Sequence, residues 1–128
     1  MPSVLNVDTL VAANGTDPVT LTKQSAAKAW CTFQGTGTVS IKDSLNASSI
    51  TDANTGNYTI TLANSLSDTN YNVQFSTHGS PAYADWVRSS WYNSNDKTTS
   101  SYRVESTDEA DNYYDISEGS GLLHGDLA

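Results

Sequence analysis

A single cysteine, Cys31, stands among 128 residues, so no internal disulfide can form. The chain is therefore neither a disulfide-stapled secreted domain nor a zinc module built on cysteine pairs. Cations are almost as scarce. Lys23, Lys28, Lys42, Arg88, Lys97 and Arg103 are scattered against fourteen acids, giving a net charge of −8. A nucleic-acid surface needs clustered Lys and Arg, and none is present, so no nucleic-acid partner is expected. No apolar run approaches the ~20 residues of a membrane-spanning helix. Leu, Glu, Lys and Ala do not dominate, which excludes a coiled coil. No basic and apolar leader follows Met1, so no signal peptide is expected.

What the chain has instead is Ser, Thr and Asn, 45 residues of the 128. Its apolar residues recur with a period of two, the signature of a strand with one buried and one wet face. Tyr58, Ile60 and Leu62 alternate with Asn57, Thr59 and Thr61; Tyr71, Val73 and Phe75 alternate with Asn70, Asn72, Gln74 and Ser76. Val39 with Ile41, and Tyr102 with Val104, repeat the pattern. Turn-forming stretches fall between them: Gly35-Thr36-Gly37, Asn54-Thr55-Gly56-Asn57 and Ser67-Asp68-Thr69-Asn70. Short strands about ten residues apart predict an all-β domain, an antiparallel β-sandwich of jelly-roll-like form. The strand around Trp30 is less one-sided. Ala29, Cys31 and Phe33 share one face and Trp30 and Thr32 the other, which fits either a central strand or one covered outside by a neighbouring chain or segment.

Three regions follow: an extended N-terminal arm over 1–25, the sandwich over 26–105, and an acidic C-terminal tail over 106–128. The arm's apolar residues Leu5, Val7, Leu10, Val11, Val19 and Leu21 have too few partners of their own. Burial between copies, worth ~1.5–3 kcal/mol for each large side chain, makes them the expected oligomer or anchor interface. A closed cyclic homo-oligomer is the simplest arrangement. Gln24–Ala29 is the best helical candidate, about one turn long. The tail holds six of the fourteen acids and Gly119, Gly121 and Gly125; it is expected to be disordered or clamped on a partner.

Candidate chemistry is sparse. His78 and His124 with Asp126 offer metal ligands, but exposed polar residues are the favoured reading. His78-Gly79-Ser80 lacks the nucleophile elbow and oxyanion loop of a hydrolase. Asp108, Glu109, Asp111 and Asp115 offer oxygens to calcium without the EF-hand spacing, and a solvated acidic strip is favoured. Carboxylate pairs for glycoside cleavage remain an alternative there, yet 128 residues leave little room for a substrate groove. No enzyme, metal or cofactor is expected. Tyr83, Trp86, Trp91, Tyr92 and Tyr102 divide between core and surface; Tyr83, Trp91 and Tyr92 are the candidates for a receptor or partner surface, since exposed aromatics stack on sugars and anchor interfaces. Tyr113 and Tyr114 must face opposite sides of any strand.

One stretch carries a resemblance. Ala26-Ala27-Lys28-Ala29-Trp30, Phe33-Gln34-Gly35-Thr36-Gly37-Thr38-Val39, Asp43-Ser44-Leu45-Asn46, Ser48-Ser49-Ile50-Thr51-Asp52, Thr55-Gly56-Asn57-Tyr58-Thr59-Ile60 and Asn70-Tyr71 stand in order along the chain. Together they resemble a β-rich module of tail-fibre-like and other virion proteins of tailed bacteriophages. Leu5-Asn6-Val7-Asp8-Thr9 and Asp17-Pro18-Val19-Thr20-Leu21-Thr22 look like the leader ahead of that module. The resemblance implies a non-enzymatic virion structural protein made in the bacterial cytoplasm, trimeric, and in contact with capsid or tail proteins. A short fibre tip, a head fibre or a capsid decoration protein is the form expected at this length. Residues from 76 onward would be the specific part. A host-receptor or carbohydrate-binding adhesion module, with a host surface glycan as partner, is the alternative, and a small polysaccharide hydrolase a distant second.

Overall fold

The computed structural model describes residues 26–79, 88–90, 97–108 and 110–128, with only the backbone described for 88–90. The expected arm over 1–25, with Leu5, Val7, Leu10, Val11, Val19 and Leu21, lies outside these residues. So do Tyr83, Trp86, Trp91 and Tyr92.

The described residues form eight strands: β1 (Ala29–Gln34), β2 (Ser40–Leu45), β3 (Ala47–Asn54), β4 (Asn57–Leu62), β5 (Asn72–His78), β6 (Arg88–Ser90), β7 (Ser101–Thr107) and β8 (Glu118–His124). There is no helix among the described residues. The strands make two four-stranded sheets, ordered β2-β1-β8-β5 and β3-β4-β7-β6, here called sheets A and B. Every pairing is antiparallel. The expected all-β antiparallel sandwich is the fold.

The two-residue period places the core. Ala29, Cys31 and Phe33 of β1 and Val73 of β5 point inward from sheet A; Tyr58, Ile60, Leu62, Tyr102 and Val104 face them from sheet B. Phe33 is the centre of this layer, with its ring 5.0 Å from that of Tyr58 and 6.1 Å from that of Phe75. The chain passes from sheet A to sheet B through Asn46 alone, the one residue between β2 and β3. Its φ of 56° is left-handed, which asparagine tolerates better than most residues. Its side chain then holds the corner. It donates to Lys28 O (3.1 Å) and Asn64 O (3.2 Å), and its Oδ1 accepts from Asn64 N–H (2.6 Å).

Two expectations are overturned. The helical candidate Gln24–Ala29 is not a helix where it is described. Lys28 donates its N–H to Leu123 O at 2.9 Å, and Ala29 opens β1, so the sheet takes the backbone groups a helical turn would use. The boundary drawn at 105 also fails, because the sandwich runs on to His124. Residues 118–124, expected within an acidic tail, form β8 and pair with β1 on one side and β5 on the other. The reason is steric. β8 turns Gly119, Gly121 and Leu123 inward. A Cβ on Gly119 would collide with the Phe33 ring, and one on Gly121 would stand 2.7 Å from the Tyr102 hydroxyl oxygen. The glycines are there because two large rings, Phe33 from the neighbouring β1 and Tyr102 from β7 of the facing sheet, occupy their side-chain space.

Candidate functional site

Two buried tyrosines show how the polar groups of the core are handled. The Tyr58 hydroxyl accepts from Ile116 N–H (3.2 Å) and points its proton at Gly35 O (3.1 Å), with Asp115 Oδ1 at 3.3 Å. Asp115 Oδ1 also accepts from Gly56 N–H at 2.8 Å. Gly56 has a φ of +68°, and a Cβ there would lie 2.6 Å from Ser106 O, so only glycine serves this turn. The Ser106 hydroxyl donates to Tyr114 O and its N–H to Gly56 O. This node ties the β3–β4 turn to residues 114–116. Tyr102 is as deeply buried as Tyr58, but its hydroxyl has no hydrogen-bond partner among the described residues. Burial pushes both phenols up from their ordinary value. Tyr102, one of the aromatics weighed for a surface role, is therefore a core residue.

The alternative ligand sets weighed from the sequence are not brought together among the described residues. His78 pairs with Glu118 and His124 with Asn72 on β5 and β8. Six residues of strand, ~20 Å at ~3.4 Å each, separate the two imidazoles. Asp108 folds its own loop: its Oδ1 accepts from the N–H groups of Ala110 and Asn112, each at 2.8 Å, and its Oδ2 from Asn112 Nδ2 at 2.9 Å. The Asn112 amide is the main reason its carboxyl lies below the usual range. Asp115 serves Gly56 and Tyr58. Among the described residues no group of three or more His, Cys, Asp or Glu is placed to hold a metal ion. No helix among them is long and apolar enough to cross a membrane. Tyr113 and Tyr114 differ as adjacent residues should, Tyr113 exposed and Tyr114 half-buried. Tyr113 borders a cleft of about 360 Å³ with Asn54, Thr55, Asn57 and Arg103, where Arg103 Nε donates to Asn57 Oδ1 at 2.8 Å.

The outer face of sheet A is different. Because Ala29, Cys31 and Phe33 point inward, Trp30 and Thr32 must point out, and Trp30 is only half-buried. The register sets Trp30 beside Leu45 on one side and Leu122 on the other, with Gln74 beyond Leu122. The next row is Asp43, Thr32, Ser120 and Ser76. Thr32 Oγ1 and Ser120 Oγ are 3.2 Å apart. Beyond that, Lys42 Nζ meets Glu118 Oε2 at 2.6 Å, and this ammonium holds the Glu118 carboxyl below its usual range. A groove of about 340 Å³ runs over this face, lined by Trp30, Thr32, Gln74, Ser76, Ser120 and Leu122. That volume is within the ~300–1,000 Å³ of small-ligand sites. The sequence alone singles out Trp30 as facing away from the core. It does not reveal Ser120 and Leu122, whose strand is disguised by glycines. Gln74 and Ser76 are readable only as wet-face residues of an alternating strand.

No family model matches the sequence, and no curated protein matches it. Among solved structures the chain matches the phiAB6 tailspike, determined in complex with three-repeated oligosaccharides of Acinetobacter baumannii surface polysaccharide. The TM-score is 0.55 at 11% identity, over 98% of this chain and 30% of that one. The chain thus corresponds to under a third of that protein's length, and at this identity the likeness is one of fold.

Proposed function

We propose that the chain is a structural component of a tailed-bacteriophage virion, displayed on the particle as a tail-fibre-like part or as a head-fibre or capsid decoration. The observation that carries the reading is the fold: nearly the whole chain follows a stretch of a tailspike. The module-like segments from Ala26 to Tyr71 support it from a separate direction. They supply β1 to β4 and the turn around Gly56. The protein is made in the host cytoplasm and carried on the virion, in contact with capsid or tail proteins. Its role is non-enzymatic. This is supported by the engagement of Asp108 and Asp115, carboxylates weighed for glycoside cleavage, in turn and loop hydrogen bonds. Assembly as a homotrimer is part of the proposal. Its basis is the sequence, through Leu5, Val7, Leu10, Val11, Val19 and Leu21.

The test is direct. Antibodies raised against the purified chain should label density-purified particles of the phage that encodes it, at the head or at the tail. Mass spectrometry of the same particles should find the chain in fixed ratio to the major capsid protein. Detection only in the soluble fraction of the lysate would overturn the proposal.

A further inference from the structure

The outer face of sheet A carries side chains that the sandwich does not need. β1 and β8 are central strands, and their inward faces already supply Ala29, Cys31, Phe33 and Leu123 to the core. A merely solvated outer face would suit charged and small polar residues. Instead an indole stands between two leucines, and Leu45 is 49% exposed. Immediately alongside stand an amide and three hydroxyls, on Gln74, Thr32, Ser76 and Ser120.

The charge pattern narrows what fits. In a chain of net charge −8, none of the residues lining the groove is charged. Lys42, on the β2 strand beside β1, is paired with Glu118 at 2.6 Å. A phosphate or acidic ligand would find no counter-charge, and a cation no carboxylate among the lining residues. A purely apolar occupant would strip water from four hydrogen-bonding side chains without replacing it, a cost that burial of one indole and one leucine does not cover. The ligand class that suits both halves has an apolar C–H face to lie against the ring and neutral hydroxyls at its edge. That is a sugar ring. The lining residues stand on three strands paired along their length, with Thr32 and Ser120 already in contact, so little ordering is needed on binding.

We infer that this groove binds a neutral oligosaccharide, with Trp30 as the stacking platform and Gln74, Thr32, Ser76 and Ser120 as the hydrogen-bonding edge. The inference deepens the displayed-component proposal and rests on it, because display on the particle is what brings host surface sugars within reach. It also differs from the sequence expectation, which put sugar contacts on Tyr83, Trp91 and Tyr92.

The test uses the full chain and a panel of short neutral oligosaccharides prepared from bacterial capsular polysaccharides, with uronic-acid-containing ones as controls. Binding is read by saturation-transfer NMR and calorimetry. The expected result is binding to at least one neutral member, weakened about tenfold or more in Trp30→Ala and in Gln74→Ala, with unchanged circular dichroism. Gln74 is exposed on an edge strand, so its variant reports even where the tryptophan variant fails to fold. Three results would overturn the inference: no binding to any neutral member, binding that survives both variants while Trp91→Ala abolishes it, or loss of self-association in Trp30→Ala by light scattering, which would assign the face to a second copy. Particle labelling involves no sugar, so each proposal can fail without the other.

Discussion

Removing the hydroxyls of Tyr58 and Tyr102 one at a time should give opposite results, although both side chains are fully buried and lie on neighbouring strands of sheet B. Tyr58→Phe deprives Ile116 N–H and Gly35 O of their partner in a place water does not reach. An orphaned buried group costs ~1–3 kcal/mol, so with two affected the loss should be about 2–6 kcal/mol. Tyr102→Phe removes an oxygen with no hydrogen-bond partner among the described residues. The protein then no longer buries an unsatisfied hydroxyl, itself a ~1–3 kcal/mol burden, against the small void left behind. The net should lie between no change and a gain of about 1 kcal/mol. Urea unfolding followed by circular dichroism, with a shared slope, resolves a difference of this size. In melting temperature it is about 3–5 °C for each kcal/mol. Equal losses in the two variants, or a larger loss for Tyr102→Phe, would refute the hydrogen-bond accounting.

The same core yields a coupled prediction: Gly121→Ala should cost about 1–3 kcal/mol through overpacking against the Tyr102 hydroxyl, and visibly less in a Tyr102→Phe background; equal costs in both would remove the steric explanation of β8. Cys31, 1% exposed and with its thiol pushed up to about 11 by burial, should resist thiol reagents in native protein and react fully in urea. Its contribution to stability is whole below the unfolded value near 9 and declines as pH rises toward 11, and Tyr71, pushed up to about 12 by burial, acts in the same direction from about 10 upward. The urea midpoint should accordingly fall between pH 9 and 10.5, and a midpoint that holds or rises there would count against it. Leu5→Asp with Val7→Asp should dissociate the proposed trimer, and an unchanged mass by light scattering would refute the role assigned to the first residues.

Strands announced by alternating large and polar residues were legible. Tyr58, Ile60 and Leu62 named β4 and its face, and Val73 with Phe75 named β5, because burial on one side of a sheet writes itself into every second position. β8 was not legible. On its inward face two of the side chains are absent, so the run Glu118–His124 reads as flexible punctuation until the rings of Phe33 beside it and Tyr102 opposite it are known. The acidic run misled in another way. Asp108 and Asp115 look like a solvated strip or a ligand set, but each carboxylate is bound to specific N–H groups of its own loop or of the Gly56 turn. Trp30 could be read as facing away from the core. The groove could not, since it joins residues 30–32 to 74–76 and 120–122, and only strand pairing brings them together.

The position of β8 also governs when the domain can come into being. β1 and β5, both made much earlier, find their common neighbour only in residues 118–124, so sheet A stays split into unpaired edges until that stretch has left the ribosome. A nascent or prematurely terminated chain short of Leu123 has no way to complete the layer over Phe33. Strand β8 thus acts as a completeness check: only chains translated through it can close sheet A over their apolar interior.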